Sequence, residues 1–191
     1  FEKSINFKLN KKNILVTFHP VTLENNTSKN QFRELLNAID ELKDTNFIFT
    51  KSNSDLNGRI INEMIDEYTY KNPEKSISFF SLGQLKYLSA LQYVDAIVGN
   101  SSSGLTEAPS FNIGTINIGD RQKKRIKAKS IIDCMPKKKN IKQSLKKIYS
   151  PNFKKILKNN NNPYENGLPS KKIVRILKNF KFQNSMKKSF F

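Results

Sequence analysis

Residues 94–111, VDAIVGNSSSGLTEAPSF, join an apolar run, a break made of Gly99, Asn100, Ser101, Ser102, Ser103 and Gly104, and one carboxylate, Glu107. Small residues and hydroxyls at the mouth of a helix suit an anion. The first backbone N–H groups of a helix lack intrahelical acceptors and its N-terminus carries partial positive charge, so a phosphate fits there. On this reading the N–H groups near residues 102–105 point into a crevice. Gly99 and Gly104 then let the backbone approach the ligand, and the serines add donors. An ordinary Ser N-cap with a tight turn explains the same residues. The stretch is neither a Walker A loop, which needs Lys after its second Gly, nor a GxGxxG turn. Glu107 also has two readings. In the first helical turn it gains from the helix dipole; one turn from a phosphate it would accept from the two vicinal hydroxyls of a ribose.

His19 is the only histidine of the chain and stands between an apolar run and Pro20, which holds it extended. At the edge of a sheet, facing the same crevice as Ser101, it is a candidate ligand contact. Arg121 and Arg125, in GDRQKKR, either clamp phosphate or are solvated. One His and one Cys cannot form a zinc site, and no Ser–His–Asp order or nucleophile elbow is present.

These groups need a scaffold that brings them to one place. Residues 13–18 (NILVTF), 46–50 (NFIFT), 76–80 (SISFF), 95–99 (DAIVG), 114–119 (GTINIG) and 130–134 (SIIDC) read as six buried strands. Between the first two lies an amphipathic helix with Phe32, Leu35, Leu36, Ile39 and Leu42 on one face, capped by Thr27 or Ser28. Ile60, Ile61, Met64, Ile65 and Tyr68 stripe a second helix, and GQLKYLSALQYV supplies a third. A short helix limited by Pro109 follows the fourth strand. From Pro136 the pattern turns helical, in KKNIKQSLKKIY, PNFKKILKN and PSKKIVRILKNF. Alternating strands and helices at this spacing imply an α/β fold: a Rossmann-like, three-layer parallel sheet with helices on both faces. In such sheets ligands bind outside the carboxyl ends of the strands. That rule selects the loops after Phe18, Thr50, Phe80 and Val98, which begin HP, KSNSD, SLGQ and GNSSSG.

Length and composition set bounds. At 191 residues the chain holds one substantial domain, burying roughly 70% of its unfolded surface. No signal peptide or membrane span is visible, and Cys134 stands alone, so a reducing cytoplasm is the expected compartment. The net charge of +18 invites nucleic acid, but only five of the 34 basic residues are Arg and Asn is abundant throughout. Base readers and phosphate clamps favour Arg's planar fork, so the charge is read as a solvated, compositionally biased surface, with a polyanion as the competing use. Neither nucleic acid nor a membrane is the expected partner.

TFHPVT (17–22), GNSSSGLTEAPSF (99–111) and TINIGDRQ (115–122), in that order, resemble the hydrolysing UDP-N-acetylglucosamine 2-epimerase family of sialic-acid and legionaminic-acid synthesis. The likeness runs from about Lys11 to the terminal KKIVRILKNF. It implies the C-terminal half of a GT-B-like two-domain fold, with residues 1–180 as the UDP-binding domain and its C-terminal helices, and 181–191 as a frayed tail. The other half would be N-terminal and carry the acid–base carboxylates, in keeping with a chain that opens at Phe1. The last helix would then show an apolar face without a partner.

Roles follow from the resemblance. Ser101 and Ser102 would hold the diphosphate, Glu107 the ribose, and Ser81, Leu82, Gly83 and Gln84 the uracil edge through backbone groups. His19 would be the catalytic contact at the sugar and β-phosphate, with Arg121 and Asn53 as further pocket members. His19-Pro20, where non-hydrolysing relatives carry His-Arg, implies release of free sugar and UDP. The reaction would be elimination of UDP to a glycal, then hydration, giving N-acetylmannosamine from UDP-N-acetylglucosamine without any cofactor or metal. A 2,4-diacetamido-2,4,6-trideoxy sugar nucleotide is the alternative substrate. A GT-B glycosyltransferase and a non-catalytic nucleotide- or polyanion-binding module are the alternative functions. The complete enzyme would self-associate as a homo-oligomer.

Overall fold

Six apolar runs become six strands because each is rich in β-branched and aromatic residues and is bounded by turn formers. They are β1 (Lys12–Thr17), β2 (Thr45–Thr50), β3 (Ser76–Phe79), β4 (Ala96–Gly99), β5 (Gly114–Ile118) and β6 (Ile131–Cys134). All pair in parallel, in the order β3-β2-β1-β4-β5-β6. This computed structural model describes residues 1–21, 27–53, 56–165, 167 and 169–180. The tail expected at 181–191, and Thr22, Ser54 and Asp55 of the two loops named above, lie outside the described residues.

The connecting helices are α1 (Glu2–Ile5), α2 (Ser28–Ile39), α3 (Leu56–Lys71), α4 (Gly83–Ala90), α5 (Ser103–Thr106), α6 (Lys138–Ile148), α7 (Pro151–Lys158) and α8 (Pro169–Asn179), with a 3₁₀ turn at Ala108–Phe111. Successive side chains of a strand point to opposite faces, so one run feeds two cores. Ile14 and Val16 of β1 pack with Phe32, Leu35 and Ile39 of α2 and with Ile61 and Ile65 of α3. Leu15, between them, faces the other layer with Ile48, Ile97, Ala90 and Leu91. The result is three layers, as the alternation demands. At Pro151 the residue type decides the local structure: Pro opens α7, and the Ser150 hydroxyl accepts from Phe153 N at 3.3 Å.

The two ends of the chain add features of their own. Helix α1 has no counterpart among the expected elements; it is one turn long, ends at the left-handed Asn6 and buries Ile5 against the second core. At the other end, α8 has no buried residue, and Ile173, Val174, Ile176 and Leu177 are all exposed.

Candidate functional site

The strand order reverses direction between β1 and β4, and a crevice opens there beyond the strand ends. A hollow of about 390 Å³ occupies it, lined by Thr17, His19, Thr50, Lys51, Phe80, Ser81, Leu82, Gly83, Gln84, Tyr87, Leu88 and Glu107. Three of the four loops picked out by the sheet rule line it; from beyond the fourth, GNSSSG, only Glu107 does. Larger hollows, of about 680 Å³ along α6 and 580 Å³ beside Cys134, lie away from this switch point. Among the described residues no three His, Cys, Asp or Glu side chains gather as a metal site, and no helix is long and apolar enough to cross a membrane.

Asn100 holds the crevice together. It is 1% exposed, and its carboxamide brackets the backbone of His19: Oδ1 accepts from His19 N and Nδ2 donates to His19 O, each at 2.7 Å. Its own N–H donates to Thr17 O at 3.1 Å. Its carbonyl accepts from Gln122 Nε2 at 2.8 Å and from the Arg121 guanidinium at 3.1 Å. One residue thus ties the ends of β1, β4 and β5. Partial burial, and Arg125 nearby, lower the pKa of Arg121.

Packing alone requires both glycines of the loop. Gly99 has φ +143, and a Cβ there would lie 1.9 Å from Thr17 O. A Cβ on Gly104 would lie 2.7 Å from Thr115 Cγ2, so this glycine lets α5 sit directly on β5, where Thr115 Oγ1 donates to Gly104 O at 2.8 Å. Helix α5 is a single turn. The N–H groups of Leu105 and Thr106 bond to Ser102 O, so Leu105 does not offer the free donor expected of it. Ser103 N reaches Ser101 Oγ at 3.4 Å, a weak bond, and the N–H groups of Ser102 and Gly104 meet no acceptor among the described residues. On the cleft side the Ser103 hydroxyl pairs with the Tyr87 phenol. Burial, and the carboxylate of Glu107, push that phenol up to about 12 against the opposing effect of Ser103, so it stays neutral.

Glu107 departs from its expected position in the helix. It is not in a first turn: it is the C-cap of α5, its N–H bonded to Ser103 O at 2.9 Å, and it leads into the 3₁₀ turn that contains Pro109. It is also the N-cap of that 3₁₀ turn, but its carboxylate makes no capping hydrogen bond there, so capping does not account for the side chain. Its side chain lines the hollow, is exposed, and has no hydrogen-bond or ion-pair partner among the described residues. It is the one carboxylate of the lining.

Across the cleft, His19 Nδ1 lies 3.2 Å from Ser52 Oγ, which in turn donates to Asn53 Oδ1 at 3.0 Å. Lys51 is anchored by Asp66 at 2.6 Å, with its ammonium 4.1 Å from the centre of the Phe80 ring. The turn after β3 is fixed by Gly83 N donating to Ser81 Oγ at 3.1 Å, with Gly83 at φ +65.

Of the sequence-derived candidates, the structure brings His19, Ser81, Leu82, Gly83, Gln84 and Glu107 into the lining. Ser101 and Ser102 stand at the mouth of α5, Arg121 on the Asn100 carbonyl and exposed Asn53 behind Ser52, outside the lining itself. Asn100 as a bracket, Ser52, Lys51, Tyr87 and Gln122 are additions that the structure makes. A Tyr one helical turn into the helix after a sheet-edge Gly is a usable signal for Tyr87; the others lie in stretches already picked out, but nothing in the sequence gives their partners.

The chain matches the family described as UDP-N-acetylglucosamine 2-epimerase over residues 1–178. It is 42% identical over 153 residues to the GDP/UDP-N,N'-diacetylbacillosamine 2-epimerase (hydrolyzing) of Campylobacter jejuni, covering 80% of this chain and 39% of that protein. It is 35% identical over 133 residues to the UDP-N,N'-diacetylbacillosamine 2-epimerase (hydrolyzing) of Legionella pneumophila, covering 70% and 34%. The chain thus spans less than half the length of these relatives. Among solved structures, a UDP co-structure of MnaA from S. aureus superposes with a TM-score of 0.71 at 20% identity, over 93% of this chain and 46% of that one. The C-terminal domain of a group 1 glycosyl transferase from Francisella tularensis superposes at 0.56 and 12% identity, over 95% and 91%. The fold is shared with both of these structures.

Proposed function

The chain belongs to the UDP-N-acetylglucosamine 2-epimerase family, and from that premise we propose that it is the nucleotide-holding half of a hydrolysing 2-epimerase. The observation that carries this reading is Glu107, an exposed carboxylate at the switch-point cleft that makes no capping bond and has no hydrogen-bond or ion-pair partner among the described residues. Vicinal ribose hydroxyls are two donors that match one carboxylate. With the ribose there, the N–H groups and hydroxyls at the mouth of α5 face the diphosphate, and the 81–84 loop meets the base.

Elimination puts new negative charge on the departing UDP. Donors already aimed at that charge need no reorganisation as it develops, and one such donor is worth about 3–4 kcal/mol in comparable sites. Ser101, Ser102 and the free N–H groups of α5 fill this role, with His19 at the sugar side. Removal of the C2 proton and delivery of water fall to groups outside this chain. Two relatives named for diacetylbacillosamine nucleotides favour the 2,4-diacetamido-2,4,6-trideoxy sugar over N-acetylglucosamine as substrate.

UDP titration of the chain by calorimetry tests the pocket. Glu107→Gln is expected to weaken binding about tenfold, the lower end for a charged hydrogen bond of ~1.5–3 kcal/mol because Gln keeps one acceptor. Lys142→Gln, on α6 and paired with Glu41, is expected to leave affinity unchanged. A larger effect at Lys142 than at Glu107 would move the activity to a basic surface. The reaction is tested on the complete protein carrying this half. With no acceptor present, UDP-N,N'-diacetylbacillosamine is expected to give free manno-configured sugar and UDP, faster than UDP-N-acetylglucosamine does. Transfer only to an added acceptor would make it a glycosyltransferase.

A further inference from the structure

We infer that Ser52 is a positioning residue that fixes which ring nitrogen of His19 carries the proton. Both residues are held by the backbone. Asn100 brackets His19 through its N–H and carbonyl, and Asn62 of α3 does the same for Ser52: Ser52 N donates to Asn62 Oδ1 at 2.7 Å and Asn62 Nδ2 donates to Ser52 O at 3.3 Å. Ser52 is only 8% exposed, so its hydroxyl has little access to water. Among the described residues that hydroxyl touches two groups, His19 Nδ1 at 3.2 Å and Asn53 Oδ1 at 3.0 Å.

A hydroxyl has one proton to give. A carboxamide oxygen has none, so the contact with Asn53 Oδ1 exists only if Ser52 donates to it. Ser52 must then accept from His19, which places the neutral ring's proton on Nδ1 and leaves Nε2 with its lone pair. The chain of donors runs His19 to Ser52 to Asn53. A neutral ring in this state can take a proton at Nε2 and, once charged, donate from it; the opposite tautomer cannot take one at that atom. The value of this for the departing diphosphate rests on the proposed function, but the proton's position does not.

His19 is the only histidine, so an untagged chain labelled with ¹⁵N-histidine yields one imidazole spectrum. Long-range ¹H–¹⁵N correlation at about pH 8.5, above the ordinary imidazole range near 6.5, reads the tautomer directly. The Nδ1–H form is expected to dominate in the wild type and in Ser52→Thr, and to lose its dominance in Ser52→Ala. An Nε2–H pattern in the wild type would mean that the Asn53 amide is turned and Ser52 donates to the ring, which overturns the inference. So would a Ser52→Ala spectrum identical to wild type. The wild-type and Thr spectra decide the matter even where the Ala variant fails to fold. Failure of UDP to bind leaves the result untouched.

Discussion

Replacing Gly99 by Ala is expected to cost the chain a large share of its stability. The new Cβ would stand 1.9 Å from Thr17 O and 2.7 Å from Thr17 C, on a backbone at φ +143. Both obstacles are backbone atoms of the central strand β1, paired in register with Gly99, so no side chain can swing aside. The carbonyl in the way is also the acceptor for Asn100 N at 3.1 Å. Making room for the methyl therefore moves Asn100, and with it His19. Overpacking combined with backbone strain belongs to the small class of substitutions that cost about 4 kcal/mol or more. Against a total stability of ~5–15 kcal/mol this is a large share, and in a domain of this size it lowers the melting temperature by roughly 8–16 °C. Gly83 is the control: it has φ +65, and a Cβ added there would meet nothing within 4 Å, so Gly83→Ala carries only the left-handed backbone penalty, about 1 kcal/mol. Thermal melts of the two variants are expected to separate widely. A Gly99→Ala melt within about 2 °C of wild type, less than 1 kcal/mol on the same scale, would show that the two strands part easily at this point.

The contrast between these glycines bears on what can be read from residue order. The strands are legible because their runs are apolar and short, and the first four are separated by helices. Parallel pairing then follows from the alternation, and three of the four loops that the sheet rule chooses line the hollow. The residues that organise the crevice are not legible, because their partners are remote in sequence. Asn100 meets His19 81 positions away, and Ser52 meets it 33 away. Asn is abundant throughout this chain, so its type carries no signal at position 100. Gly99 and Gly104 point to the right location for the wrong cause: a glycine beside a crevice reads as room for a ligand until the neighbouring strand is in place. Glu107 goes the other way. Its dipole explanation depends on a helix long enough to have a first turn, and Pro109 with the 3₁₀ turn around it leaves α5 only one turn.

Asn100→Asp is the sharper test of the bracket, since it changes one atom group and almost no volume. The Asp carboxylate can still accept from His19 N, but the atom that donated to His19 O becomes a second acceptor facing that oxygen at about the same 2.7 Å. At 1% exposure the new charge is also poorly hydrated. Arg121, 3.1 Å from the Asn100 carbonyl, offers some compensation, although its guanidinium is itself committed there. Burial and the lost donor both oppose ionisation, so the folded-state pKa of the new carboxyl is raised above the ordinary value near 3.9. A raised pKa means that the folded state holds its proton longer than the unfolded state. The variant is therefore least impaired below about pH 4, where Asp is protonated in both states and can donate to His19 O. It weakens steadily as pH rises from there through the folded-state pKa. A carbonyl left facing an acceptor costs about 1–3 kcal/mol, and the charge adds to it. Melting curves at acid and neutral pH should show the gap from wild type widening toward neutrality, and UDP affinity at neutral pH should fall by more than the tenfold expected of Glu107→Gln, because the added charge sits behind the diphosphate donors. A gap independent of pH would mean that the loop accepts the anion, and the bracket around His19 would then be dispensable.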